Sequence, residues 1–175
     1  IIMDGQFITN KDLILSDIIN SILPKCDNAY FLVGYFYFSG FAELCEKLKN
    51  VNLKVLIGLE VERNIINGIK EVENFTTSNK SRGKLREDFY TDFVDIYNNT
   101  DFFDSEEQIE KFRLFLEKIE NGTLEVKKTS DPNHAKLYLF QNREEESVCG
   151  TFPGTMITGS SNLSVTGLKN RLELN

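Results

Sequence analysis

The sequence predicts an α/β domain built on a mixed, mostly parallel β-sheet with helices on both faces. Three observations carry that expectation. Residues 30–38 and 53–59 are runs rich in aromatic and β-branched residues, each of the length and composition of a buried strand. Between them Phe41, Leu44, Cys45 and Leu48 recur at helical spacing. Strand, helix and strand within about 30 residues form a βαβ unit, whose two strands lie parallel. Near the other end, residues 134–140 and 155–158 alternate as strands do. The acidic Arg143-Glu144-Glu145-Glu146 and the turn-forming Phe152-Pro153-Gly154 join them as a hairpin-like connection, which makes the sheet mixed.

Taken in order, residues 11–23 read as the first helix, with Leu13, Ile14, Ile18, Ile19, Ile22 and Leu23 on one stripe and Pro24 ending it. Ser39-Gly40 closes the first strand, and Ser39 is placed to cap the helix that runs through Leu48. Residues 62–121 read as a helical insertion. A polar loop at 74–81 precedes a stripe of Leu85, Phe89, Phe93, Val94 and Ile96. After a break at 100–104, Asp104 or Ser105 caps a helix carrying Ile109, Phe112, Leu116 and Ile119 inward, which ends at Asn121-Gly122. Residues 124–128 alternate as a short strand that leads through Asp131-Pro132 to His134. No internal repeat or low-complexity tract is visible.

Composition narrows the function classes. A length of 175 residues suits one domain, and 41% hydrophobic content is enough to fill its core. A net charge of -7 argues against a general nucleic-acid coat, which would be basic over a broad face, but leaves room for a local basic groove. The one dense basic run is Lys80, Arg82, Lys84 and Arg86: either a nucleic-acid contact or a solvated loop and helix start. Lys127 and Lys128 extend positive potential toward His134 or stand as ordinary exposed strand lysines. Cys26, Cys45 and Cys149 lack metal-ligand spacing and read as reduced thiols of a cytoplasmic protein. No apolar run approaches the roughly 20 residues that cross a bilayer, and no secretory signal is seen, so no membrane association is expected.

The chemistry concentrates in residues 133–175. His134, the one histidine, stands two residues before Lys136 at the head of an alternating segment. That alternation puts Ala135, Leu137 and Leu139 toward a core and His134, Lys136 and Tyr138 on the other face. An imidazole beside an ammonium suits attack on a phosphodiester, the lysine balancing charge on the phosphoryl oxygens. Ser160 and Asn162, in Gly159-Ser160-Ser161-Asn162, add neutral donors. Each piece has a plain alternative: His-x-Lys alone is a strand edge, and Gly-Ser-x-Asn alone is a turn.

In order, His-x-Lys, Gly-Ser-x-Asn and a downstream glutamate resemble the signature of the phospholipase D superfamily. The tail from Gly159 to Asn175 lengthens the match. At the front of the chain, Gly-Tyr-Phe at 34–36, Ser-Gly-Phe at 39–41 and Leu-Ile-Gly-Leu-Glu at 56–60 resemble phospholipase D-like domains at the N-terminus of bacterial helicase-type proteins. The resemblance implies a single phospholipase D-like domain over residues 1–175, part of a longer helicase-associated protein. It implies a phosphohistidine intermediate on His134, phosphate held by Lys136, Ser160 and Asn162, and a histidine oriented by Glu173. Tyr35 and Tyr37 are either near that site or core aromatics of the sheet. The family's aspartate five residues after the lysine is Gln141 here.

The family's chemistry uses two His-x-Lys motifs, one histidine attacking phosphorus and the other protonating the leaving oxygen. With one motif per chain, the expectation is a homodimer across the active site, or a second motif in a longer protein. No cofactor or metal is implied. The expected function is a metal-independent, nuclease-like phosphodiesterase on nucleic acid, DNA more than RNA. The alternative is a catalytically weak or inactive module that binds nucleic-acid backbone for an attached helicase or ATPase region. Phospholipid hydrolysis stands third, for want of an amphipathic membrane segment.

Overall fold

The computed structural model describes residues 7–63, 66, 67, 70, 105–144, 153–170 and 175. Its elements are helix α1 (Leu15–Ile22), a 3₁₀ turn (Leu23–Lys25), β1 (Cys26–Phe36), α2 (Phe38–Leu48), β2 (Asn52–Val61), α3 (Glu106–Glu120), β3 (Leu124–Lys128), β4 (Leu137–Asn142), β5 (Gly154–Thr158) and a π-helical turn (Thr166–Asn170). The strands form one sheet in the order β3-β2-β1-β4-β5. β1 pairs parallel with β2, and β2 with β3. β4 pairs antiparallel with both β1 and β5. The sheet is thus mixed, but its four pairings divide evenly rather than being mostly parallel. The 137–158 strands account for this: a hairpin joins antiparallel neighbours, and it docks on β1 in that sense.

Local signals placed most elements. Pro24 sits in the 3₁₀ turn that terminates α1. Ser105 caps α3, its side chain accepting from the Gln108 N–H, and the helix stops at Asn121-Gly122, with Gly122 at φ +76°. β1 begins four residues before the aromatic run, because Asn28 pairs with both Asn52 and Gln141 in a polar side-chain ladder. Sheet pairing overrides the low strand preference of asparagine there. At the other end β1 stops at Phe36, since Phe38 belongs to α2 and packs edge-on against Phe112 at 5.0 Å. Ser39 does not cap α2. The carboxylate of Glu62 does, accepting from the Phe38 N–H at 2.6 Å, while the Ser39 hydroxyl accepts from the Val165 N–H.

One core lies between the sheet and the three helices. Leu15, Ile19 and Leu23, then Phe41, Leu44 and Leu48, then Phe112, Phe115 and Leu116 pack on Ala29, Phe31, Val33, Leu53, Val55 and Ile57. β4 contributes Tyr138 and Phe140, whose rings meet Phe31 at 4.9 and 5.7 Å. This reverses the expected facing of β4. The two rings, not Leu137 and Leu139, enter the core, because they pack edge-to-face on Phe31 and the Tyr138 hydroxyl finds the Ser161 carbonyl at 2.8 Å. Among the described residues the helices cover this one face. The other face carries Leu32, Leu137 and Leu139 half-buried and Tyr30 and Leu56 exposed. Among the described residues no helix is long and apolar enough to cross a membrane. The expected stripe of residues 84–98 lies outside the described residues.

Candidate active site

The parallel strands β1 and β2 end together, and the open end of an α/β sheet on the carboxyl side of its strands is where such folds hold ligands. Their register shifts by one residue between Val33 and Tyr35. Gly34 lies at that shift. A methyl group on it would stand 3.2 Å from Asn162 Oδ1 and 3.4 Å from His134 Cδ2, so Gly34 is the floor on which those two side chains meet.

His134 reaches this floor from the loop after β3. Thr129 donates its N–H to the Ile57 carbonyl and Asn133 donates to the Gly58 carbonyl, each at 2.9 Å, which ties the loop to the end of β2. The loop crosses so close that a Cβ on Gly58 would lie 1.7 Å from the Asn133 carbonyl oxygen. Asn133 Oδ1 then accepts from the Ala135 N–H at 2.7 Å, turning the chain so that the His134 ring stands exposed at the mouth. β4 starts only at Leu137, so His134 and Lys136 precede the strand rather than lying in it.

Lys136 is only 4% exposed. Its ammonium donates to the His134 carbonyl at 2.6 Å and lies 2.8 and 2.9 Å from Nδ1 and Nε2 of the same residue. One ammonium cannot lie along both in-plane lone pairs of an imidazole. The near-equal distances place it close beside the imidazole, with the donor and acceptor roles of the ring nitrogens set by the tautomer. The Lys136 carbonyl accepts from Thr158 Oγ1 at 3.1 Å and from the Gly159 N–H at 3.4 Å, which brings the Gly-Ser-x-Asn segment alongside.

In that segment Asn162 enters the site. Its Oδ1 accepts from the Tyr35 N–H at 3.0 Å, which fixes the amide orientation and turns Nδ2 away from the strand. Buried Leu163 holds it there by bridging to Phe36 and accepting from the Tyr37 N–H. Ser161 points inward, bonded through Oγ and N–H to the Asn175 side chain at 2.8 and 3.2 Å. Ser160 is exposed on the turn just before them, next to Gly159, whose N–H donates to the Lys136 carbonyl.

Of the residues named from the sequence, His134, Lys136 and Asn162 come together and Ser160 stands on the adjoining turn. Glu173 and the basic run Lys80, Arg82, Lys84 and Arg86 lie outside the described residues. Gln141 lies up β4 opposite Asn28, toward the start of β1 and away from the site. Tyr35 approaches: its ring is edge-on to His134 at 6.4 Å and stacks with Tyr37 at 6.5 Å. Lys127 is paired with Glu125. Burial pushes the Cys26 thiol up and the Cys45 thiol up to about 11, so neither is a nucleophile near neutrality. Among the described residues no group of three or more His, Cys, Asp or Glu side chains is placed to hold a metal ion. Sequence reasoning missed Gly34 and Gly58 as parts of the site. The available signal was a glycine near the end of each strand, a mark of close backbone approach. No protein-family model matches this chain, and no curated protein matches it.

Proposed function

We propose that the chain is a phospholipase D-like phosphodiesterase domain acting on nucleic acid, DNA more than RNA, as part of a longer helicase-associated protein. The observation that carries the reading is the meeting of His134 and Asn162 over Gly34, with the Lys136 ammonium against His134. It sets an exposed imidazole, an ammonium and an oriented amide at the carboxyl ends of parallel strands. In this reading a His134 nitrogen attacks phosphorus, a P–N bond forms as the P–O bond to the leaving group breaks, and Lys136 and Asn162 carry the charge on the phosphoryl oxygens. The leaving oxygen takes a proton from a second imidazole, which then activates the water that frees His134. The sequence has one histidine, so the second imidazole comes from a second copy across a two-fold axis or from elsewhere in a longer protein.

The test is cleavage of plasmid and single-stranded DNA in EDTA by wild type and His134→Ala. Metal-independent cutting abolished in the variant supports the reading; equal cutting by both removes His134 from the mechanism. The lone histidine also favours a second reading, a module that holds nucleic-acid backbone without turnover. It predicts salt-sensitive binding weakened by Lys136→Ala, with no product formed.

A further inference from the structure

A second concavity opens beside His134. Its volume is about 430 Å³, and its walls include Tyr35, Leu59, Glu60, Lys128, Ser130 and Pro132. Tyr35 belongs to both places, since its ring stands 6.4 Å from the imidazole while its Cα is the register partner of Glu60 across β1 and β2. The Ser130 hydroxyl is spent on Asp131 and Thr129 Oγ1 donates to the Asp131 carbonyl, so the loop supplies shape more than hydrogen bonds.

Glu60 and Lys128 differ from their neighbours. Further along the sheet, Lys54 and Lys127 both pair with Glu125. Among the described residues the side chains of Glu60 and Lys128 have no hydrogen-bond or ion-pair partner and do not pair with each other, although both residues line this cavity. The cavity therefore presents an aromatic wall, a carboxylate and an ammonium, beside a group suited to phosphate.

We infer that this cavity takes the base of the nucleotide whose phosphate lies at His134, and that it selects guanine. The inference rests on the phosphodiester reading above. A carboxylate only accepts hydrogen bonds, and guanine alone among the common bases offers two adjacent donors, N1–H and the 2-amino group, to a two-oxygen acceptor. Its neighbouring O6 is an acceptor for the Lys128 ammonium. Adenine and cytosine present one amino group next to a ring-nitrogen acceptor that the carboxylate repels, and thymine presents one N–H between two carbonyls. Tyr35 supplies the face on which a flat base stacks. Because Glu60 reads the edge used in base pairing, the nucleotide is unpaired, and the substrate class is single-stranded nucleic acid.

The experiment is displacement of a fluorescein-labelled single-stranded oligonucleotide from the purified chain, followed by anisotropy. Competitors are inorganic phosphate, dGMP, dAMP, dCMP, dTMP and dIMP. The expected result is displacement by dGMP at a roughly tenfold lower concentration than dAMP, dCMP or dTMP, the size of one good base contact. The inosine nucleotide, which keeps N1–H and O6 but lacks the 2-amino group, falls between. Glu60→Gln turns one acceptor into a donor and brings dGMP and dAMP within about twofold of each other, as the bidentate pair is lost. Equal displacement by the four common nucleotides from wild type, with phosphate still competing, overturns the guanine site and leaves the phosphate reading standing. Failure of phosphate to compete, or no oligonucleotide binding at all, overturns both.

Discussion

The sharpest test of how the site is built is Gly58→Ala. A methyl group there would fall 1.7 Å from the Asn133 carbonyl oxygen and 2.6 Å from its carbon, and backbone atoms cannot turn aside as a side-chain tip can. Gly58 has no positive φ, so alanine meets no backbone strain at this position. Without the clash the change would stabilise the protein by about 0.4–1 kcal/mol, through a stiffer unfolded chain. With it, the loop must lift from β2. Lifting breaks the 2.9 Å bond from the Asn133 N–H to the Gly58 carbonyl, worth about 1 kcal/mol, while overpacking adds about 1–3 kcal/mol. The net expectation is destabilisation by about 1–3 kcal/mol, opposite in sign to an unhindered glycine-to-alanine change. Urea denaturation followed by circular dichroism measures it. The single histidine supplies a local reporter, because its one Hε1 resonance should shift as His134 leaves the Gly34 floor. A variant as stable as wild type or more so, with that resonance unmoved, would refute the crossing of loop and strand.

The other predictions are narrower. At Gly34 the added methyl meets side-chain atoms at 3.2 and 3.4 Å, a tight contact that small shifts relieve. Gly34→Ala should therefore leave urea stability within about 0.5 kcal/mol while weakening phosphate binding several-fold in a titration of the His134 resonance; unchanged binding would show that the floor is not part of the site. Lys118 is 2% exposed and donates to the Val51 carbonyl at 2.9 Å, to Thr123 Oγ1 at 3.2 Å and to the Lys49 carbonyl at 3.5 Å. Lys118→Met leaves those acceptors without a donor and should cost about 1–3 kcal/mol by urea denaturation. Burial lowers the Lys118 pKa from 10.5, so between its folded and unfolded values the unfolded chain holds more protons. Wild-type stability therefore rises relative to Lys118→Met as pH climbs toward 10.5, and a gap that stays flat over that limb would contradict the assignment.

Much of the fold was legible because its signals are local. The βαβ unit, the Ser105 cap, the Asn121-Gly122 stop and the 124–128 strand each follow from a few neighbouring residues and lie where the sequence implies. The facing of β4 was not legible. Period-two alternation separates Leu137 and Leu139 from Tyr138 and Phe140, but both sets are apolar, and only the ring of Phe31 on the adjacent strand decides which is buried. The cap of α2 was hidden for a similar reason, since Glu62 reaches Phe38 from 24 residues away.

By itself the sequence determined the order and kind of most described elements and the chemical types gathered near its end: one imidazole, the lysine two residues on, and a Gly-Ser-x-Asn segment. Tertiary structure alone decided that His134 and Asn162 meet over Gly34 with Lys136 against the imidazole, that Tyr35 joins them, and that Glu60 and Lys128 line a neighbouring cavity. The reason is physical. Helix and strand preferences are set by residues a few positions apart, whereas a site drawn from a strand end, a crossing loop and a turn depends on backbones approaching closely enough for a missing Cβ to matter, and a glycine in a strand marks such an approach without naming its partner.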